Sequence, residues 1–221
     1  MRNFRMKKIM FTISAAAVGS LVAVGSASAG FTGMSYDEVE NGMAGYTTIR
    51  VHAGVTAGGQ VDAVYGDNTN ALSISSDGGF YQNGFGGYSA PSAALFSFFP
   101  SLEFDSFVTI GLTDDAGDAM LDIGIDWAGF EAGGDISTTN GTWFATPSDA
   151  QVMEIGGRVL VGQFTVADGD HVYGSLNLQG KDADLTNWNA DGVAFDSSIV
   201  PAPGALALLG LAGVAARRRR K

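Results

Sequence analysis

Residues 158–179 read RVLVGQFTVADGDHVYGSLNLQ, and the fold class turns on this stretch. Val159–Val166 is an apolar run rich in β-branched residues. Ala167-Asp168-Gly169-Asp170 interrupts it, and His171–Gln179 follows with Val172, Leu176 and Leu178 on one face. Asp-Gly between such runs is a strong short-range signal for a β-hairpin, because glycine takes the positive φ that a tight turn requires. The stretch therefore predicts two antiparallel strands paired with each other.

The same two-residue period recurs outward from it. Over 46–55, Ile49, Val51, Ala53 and Val55 share one face and Thr48, Arg50 and His52 the other. Over 102–112, Leu102, Phe104, Val108, Ile110 and Leu112 oppose Glu103, Asp105 and Thr109. Over 120–127, Leu121, Ile123, Ile125 and Trp127 oppose Asp122 and Asp126. Turns are marked by Gly58-Gly59, Asp67-Asn68, Asp77-Gly78-Gly79 and Asn140-Gly141. Short strands at this spacing, each with one wet face, predict an all-β domain: an antiparallel two-sheet β-sandwich, jelly-roll-like, with a lone barrel as the alternative. No internal repeat and no second domain shows in the pattern.

Charge is distributed very unevenly along the 221 residues. All 23 acidic residues fall within 30–199, where the only basic residues are Arg50, Arg158 and Lys181. A domain so acidic repels nucleic acid and other polyanions, so no nucleic-acid partner is expected. There is no cysteine, which excludes disulfides, thiol catalysis, zinc–thiolate sites and a lipid-modified N-terminal cysteine.

The remaining basic residues sit at the two ends. Arg2, Arg5, Lys7 and Lys8 precede the apolar stretch Ile9–Val24, and Ala27-Ser28-Ala29 follows. That order is a secretory signal peptide, 1–29, cleaved by signal peptidase after the small residues Ala27 and Ala29. At the other end Val200-Pro201-Ala202-Pro203 opens an apolar run, Gly204–Ala216, which stops at Arg217-Arg218-Arg219-Arg220-Lys221. Such a run makes a short apolar helix that enters a bilayer while the basic cluster stays cytoplasmic, though it is brief for a permanent span.

This tail, 200–221, resembles the PEP-CTERM sorting signal of exported bacterial proteins, with Ala202 where the family has glutamate. The resemblance implies an exosortase-like sorting enzyme as partner, transient attachment to the membrane through the tail, and a cell envelope rich in exopolysaccharide. A similar tail occurs on some ice-binding proteins.

For the central domain 30–199 the chemistry-bearing patterns are few. Asp114, Asp115 and Asp118 offer oxygen ligands for calcium as a cofactor, but without EF-hand spacing. They equally make an ordinary acidic loop. Residues 80–101 set Phe80, Tyr81, Phe85, Tyr88, Phe96, Phe98 and Phe99 among glycines and amides; such rings either stack on sugars or fold over the sandwich. His52 and His171 lie outside any catalytic or metal-binding spacing. Glu103 with Asp105, or Glu131 with Asp135, could serve as paired carboxylates. The expectation is a non-enzymatic, exported cell-surface or extracellular-matrix protein with a structural or adhesive role. A calcium- or carbohydrate-binding module, ice-binding included, is the alternative, and a secreted hydrolase comes last.

Replacing Arg217–Arg220 with serine is expected to abolish membrane retention and release unprocessed protein. Fractionation of cells and medium measures this, and unchanged localisation would refute a sorting role for the tail.

Overall fold

β-branched and aromatic residues alternating with small or polar ones extend the backbone, because their side chains pack best on a pleated, half-buried surface. In the computed structural model, which describes residues 30–198, these segments form eleven strands. They are β1 (Phe31–Val39), β2 (Tyr46–Val55), β3 (Gln60–Gly66), β4 (Leu72–Ser76), β5 (Phe107–Val108) and β6 (Leu121–Ile123), then β7 (Ile136–Thr138), β8 (Gly141–Phe144), β9 (Arg158–Ala167), β10 (Val172–Lys181) and β11 (Asn187–Asp196). The signal segment with Ala27 and Ala29, and the tail with Val200–Pro203 and Arg217–Arg220, lie outside the described residues.

Two antiparallel sheets face each other, as expected, and neither closes into a barrel. The first has the order β1-β2-β9-β5; the second runs β6-β8-β3-β10, with β4 and β7 continuing the lines of β3 and β8 and β11 on the far edge of β10. Met34, Ile49, Val51, Val161 and Phe164 from the first sheet meet Val64, Ile74, Trp143, Leu176 and Leu178 from the second, all buried. The edges nearest each other are closed by aromatic contacts between β1 and β11. Phe31 stacks on Trp188 at 6.1 Å, and the Tyr36 hydroxyl accepts the Asp196 N–H at 3.1 Å.

The structure overturns the hairpin predicted at 158–179. β9 and β10 are not paired: β9 takes β2 on one side and β5 on the other, while β10 belongs to the opposite sheet. The Asp-Gly turn is present, with Gly169 at φ 92° and the Asp170 N–H donating to Ala167. Each end of it is held by a different sheet. Asp168 accepts the Thr47 hydroxyl at 2.9 Å beside β2, and Asp77 at the end of β4 accepts the His171 N–H at 2.9 Å. The turn thus arches across the sandwich.

A second correction concerns 102–112. Pro100 starts a 3-10 helix, Pro100–Phe104, and only Phe107–Val108 is strand. Proline favours a first helical position because its missing N–H would be unpaired there anyway. The segment crosses the outer face of the first sheet, and β9 side chains satisfy its carbonyls. Gln163 Nε2 donates to Glu103 and Asp105 at 2.9 and 3.0 Å, and the Thr165 hydroxyl donates to Phe104 at 2.5 Å. The third correction is β6, where Leu121 and Ile123 are 57% and 67% exposed and face solvent. Asp122 turns inward because it accepts both the Tyr88 hydroxyl and the Trp127 indole N–H, at 2.8 and 2.9 Å.

The second sheet has its own polar centre. The chain leaves β3 at Gly66 and rejoins the β10 ladder at Leu72, so Tyr65 and Ser73 face Asn177 and Ser175, only two residues apart. Asn177, fully buried, fills this excursion. Its amide donates to Asn70 and Tyr65 carbonyls at 2.8 and 3.1 Å, and its oxygen accepts the Gly192 N–H at 2.7 Å. Gly192, at φ 61°, forms the bulge in β11 that places this N–H.

Asn177→Ala strands two carbonyls and an N–H in the interior, so a loss of about 3 kcal/mol is expected from urea unfolding. Asn177→Asp is expected to cost more at neutral pH, because it sets an oxygen against two carbonyl oxygens.

Candidate functional site: a groove on the outer face of the second sheet

Alternation fixes what the second sheet shows to solvent. Val64, Trp143 and Leu178 point inward, so their neighbours Ala63, Tyr65, Thr142, Phe144 and Gln179 point out. The registers align these into rows across the strands. Leu121, Phe144, Ala63, Gln179 and Asn189 form one, and Ile123, Thr142 and Tyr65 form the next. The outer face is therefore apolar and aromatic toward β6 and amide-rich toward β11.

A shallow groove of about 490 Å³ follows these rows. Tyr65, Phe144 and Pro147 give it flat apolar walls, and Asp62, Gln179, Lys181 and Asn187 supply its polar groups. Several of these side chains are already positioned. The Tyr65 hydroxyl donates to Asp191 at 2.6 Å; burial first, and then this bond to a carboxylate, raises the phenol well above its ordinary pKa. Asp62 accepts the Gln60 amide at 2.5 Å, and partial burial raises its carboxyl against the lowering effects of Gln60 and Lys181. Lys181 donates to the Asn187 side-chain oxygen, leaving the Asn187 amide hydrogens to face outward contacts. Asp62 is the one carboxylate of the groove lining. Flat rings beside fixed amides suit a ligand with apolar faces and hydroxyl edges.

The residues singled out in the sequence are placed elsewhere. Asp114 accepts the Ala116 N–H at 2.9 Å, and Asp118 accepts the Met120 N–H and Gln151 Nε2 at 2.9 and 3.2 Å. The Asp115 N–H donates to Pro91. Among the described residues no three His, Cys, Asp or Glu side chains gather as a metal cluster. The rings of 80–101 largely pair off. Phe80 packs on Phe164 at 5.3 Å, Phe85 stacks on Phe99 at 4.0 Å, and Tyr88 lies parallel to Trp127 at 4.6 Å. His171 bonds Asp77 at 3.0 Å in the exposed arch. Glu103, Glu131 and Asp135 are exposed, whereas Asp105 is fully buried. No helix among the described residues is long and apolar enough to cross a membrane.

Asp105 sits under the glycine-rich loop. Its Oδ1 accepts the Asn83 N–H at 2.7 Å, and its Oδ2 lies so close to Gly86 that a Cβ there would fall 1.6 Å away. Only glycine fits that position. Burial raises this carboxyl to about 7, against the lowering effect of the N–H groups around it. His52, on the outer face of β2, is shifted oppositely, to about 4, by burial first and then by Arg158.

Phe144 carried a legible signal, whereas Tyr65 did not. Trp143-Phe144 puts two aromatic rings on opposite faces of one strand, so one must leave the core. No family model matches the chain, nor does any curated protein or solved structure.

The two shifts make opposite contributions to stability. Asp105, its pKa raised by folding, favours the folded state below about pH 4 and loses that contribution by about pH 7. His52, its pKa lowered, favours folding above about pH 6.5 and loses that contribution as pH falls through about 4. The first is worth roughly 4 kcal/mol and the second roughly 3 kcal/mol, so they largely offset each other. Relative to the parent protein, Asp105→Asn is expected to make melting temperature climb with pH between 4 and 6.5. His52→Gln is expected to make it fall over the same range.

Proposed function

We propose that the protein is an exported, non-enzymatic adhesive module of the cell surface or extracellular matrix, and that it holds a neutral glycan in the outer groove of the second sheet. The observation that carries this is the groove itself, with Tyr65 and Phe144 as outward rings beside Gln179, Asn187 and Lys181 on a flat sheet face. Pyranose rings present apolar C–H faces to aromatic side chains and hydroxyl edges to amides, so such a surface recognises sugars without moving. Charge narrows the choice. A domain with 23 acidic residues and three basic ones disfavours anionic polysaccharides and admits neutral chains.

Export and sorting rest on the terminal segments. The signal 1–29 would be removed by signal peptidase, and the tail resembling the PEP-CTERM signal would hold the protein at the membrane until an exosortase-like enzyme acts. The groove would then face the polysaccharide outside the cell. Calcium has no part in this reading, because the Asp114 and Asp118 carboxylates are engaged by their own loop.

Binding to an array of neutral glycans, followed by titration of the best hit, tests the proposal. Tyr65→Ala and Phe144→Ala are each expected to weaken affinity five- to tenfold, as a stacking contact of about 1 kcal/mol implies. Absence of saturable binding to every neutral glycan would overturn the reading.

A further inference from the structure

The outer face of the first sheet carries a second cleft, unrelated to the groove and of different chemistry. Arg50 and Arg158, two of the three basic residues in the described domain, meet there with His52. Cross-strand pairing brings them together: Arg50 faces Asp37, and His52 faces Ser35 on β1 and Leu160 on β9. The cleft, about 230 Å³, has Asp37, Arg50, His52 and Arg158 on one side and Met153, Ile155 and Leu160 on the other.

The charges are not all matched. Arg158 is committed to Asp37, with its two terminal nitrogens at 2.6 and 2.9 Å from the two carboxylate oxygens. Arg50 donates its Nε to the neutral Gln163 amide at 2.9 Å, and its terminal nitrogens have no hydrogen-bond partner among the described residues. Glu103, the other acid acting on Arg50, is exposed to water on the 3-10 segment. His52 is only 8% exposed, yet its Nδ1 has no hydrogen-bond partner and lies 3.9 Å from Asp37. A buried ring nitrogen without a partner costs stability unless something occupies the space before it. Beside these groups Ile155 stands 80% exposed, an apolar rim with nothing packed on it.

We propose that this cleft binds a short-chain carboxylic acid, its carboxylate on Arg50 and His52 and its hydrocarbon body against Met153, Ile155 and Leu160. A guanidinium presents two parallel N–H groups that match the two oxygens of a carboxylate. The neutral imidazole adds one further N–H donor. Size sets the length. At about 30 Å³ per water the cleft holds roughly eight waters, so a ligand of about eight heavy atoms fills it. Hexanoate has that size. The cleft accounts for an otherwise puzzling placement: a strongly acidic domain keeps most of its scarce positive charge at one desolvated spot.

Hexanoate titrated into the protein at pH 7, followed by NMR shifts of the Ile155 methyl and His52 ring signals, tests this. Saturable binding is expected, with 1-hexanol and hexylamine at least tenfold weaker. Arg50→Gln is expected to reduce affinity at least tenfold, and Ile155→Ser about threefold. Ile155 is exposed, so its variant keeps the fold and tests the apolar half even if Arg50→Gln is destabilised. Tyr65→Ala, on the other sheet, is expected to leave binding unchanged. Equal binding of hexanol, an unaltered affinity in Arg50→Gln, or shifts that never saturate would each overturn the proposal.

Discussion

β9 is buried on both faces, and the first sheet is organised around that constraint. Its inner side chains, Val161 and Phe164 among them, enter the core as any strand's would. Its outer ones, Gln163 and Thr165, are polar and equally inaccessible, so each donor and acceptor needs a partner within the protein. A hydrogen-bond chain supplies them. Asn41 donates to the Thr48 hydroxyl, Thr48 to Thr165, and Thr165 to the Phe104 carbonyl, so the direction of every link is set by its neighbours. The Ser106 hydroxyl accepts the Thr165 N–H and donates to the Thr165 carbonyl, doing with one side chain what a neighbouring strand would do with its backbone.

Everything laid over that face follows from the same need. The 3-10 segment is held by Gln163 and Thr165, and Asp105 at its end is thereby driven beneath the glycine loop. β9 also reaches the cleft, since Gln163 accepts the Arg50 Nε–H at 2.9 Å. The second sheet is simpler. Its outer face is open, Asn177 plugs its centre, and the half-buried rings Tyr65 and Phe144 mark the groove. The two faces of the sandwich thus differ in kind: one is covered and charged, the other bare, flat and aromatic.

The class of fold was legible because strand period is a local property, and β2, β9 and β10 fall where Ile49–Val55, Val159–Val166 and Val172–Gln179 alternate. What the strands pair with was not local. Asp168-Gly169 forms the same tight turn whether the chain folds back on itself or crosses to the other sheet; Thr47 and Asp77, far away in sequence, decide. The alternation of Leu102–Leu112 survives on paper because Pro100 alters the backbone without altering the order of apolar residues. β6 was read inside out because hydrophobicity favours burying Leu121 and Ile123, whereas two hydrogen bonds pull Asp122 inward. The groove was half visible in Trp143-Phe144. The cleft was not visible, since Arg50 and Arg158 are more than a hundred positions apart and only the pairing of β2 with β9 unites them.

The arch at 168–171 has a consequence for how the chain acquires its shape. β2 finds its second partner only in β9, across an interval in which Tyr46 matches Ala167, and β3 waits for β8. Apart from the β1–β2 ladder, a growing chain has no strand pair to form until residue 136 has appeared, and neither sheet is complete before the last third is made. Such high contact order slows folding, because distant segments must meet before any of their contacts can reward the search. A chain that pairs its strands this late stays extended and pliable long after its first strands have been made.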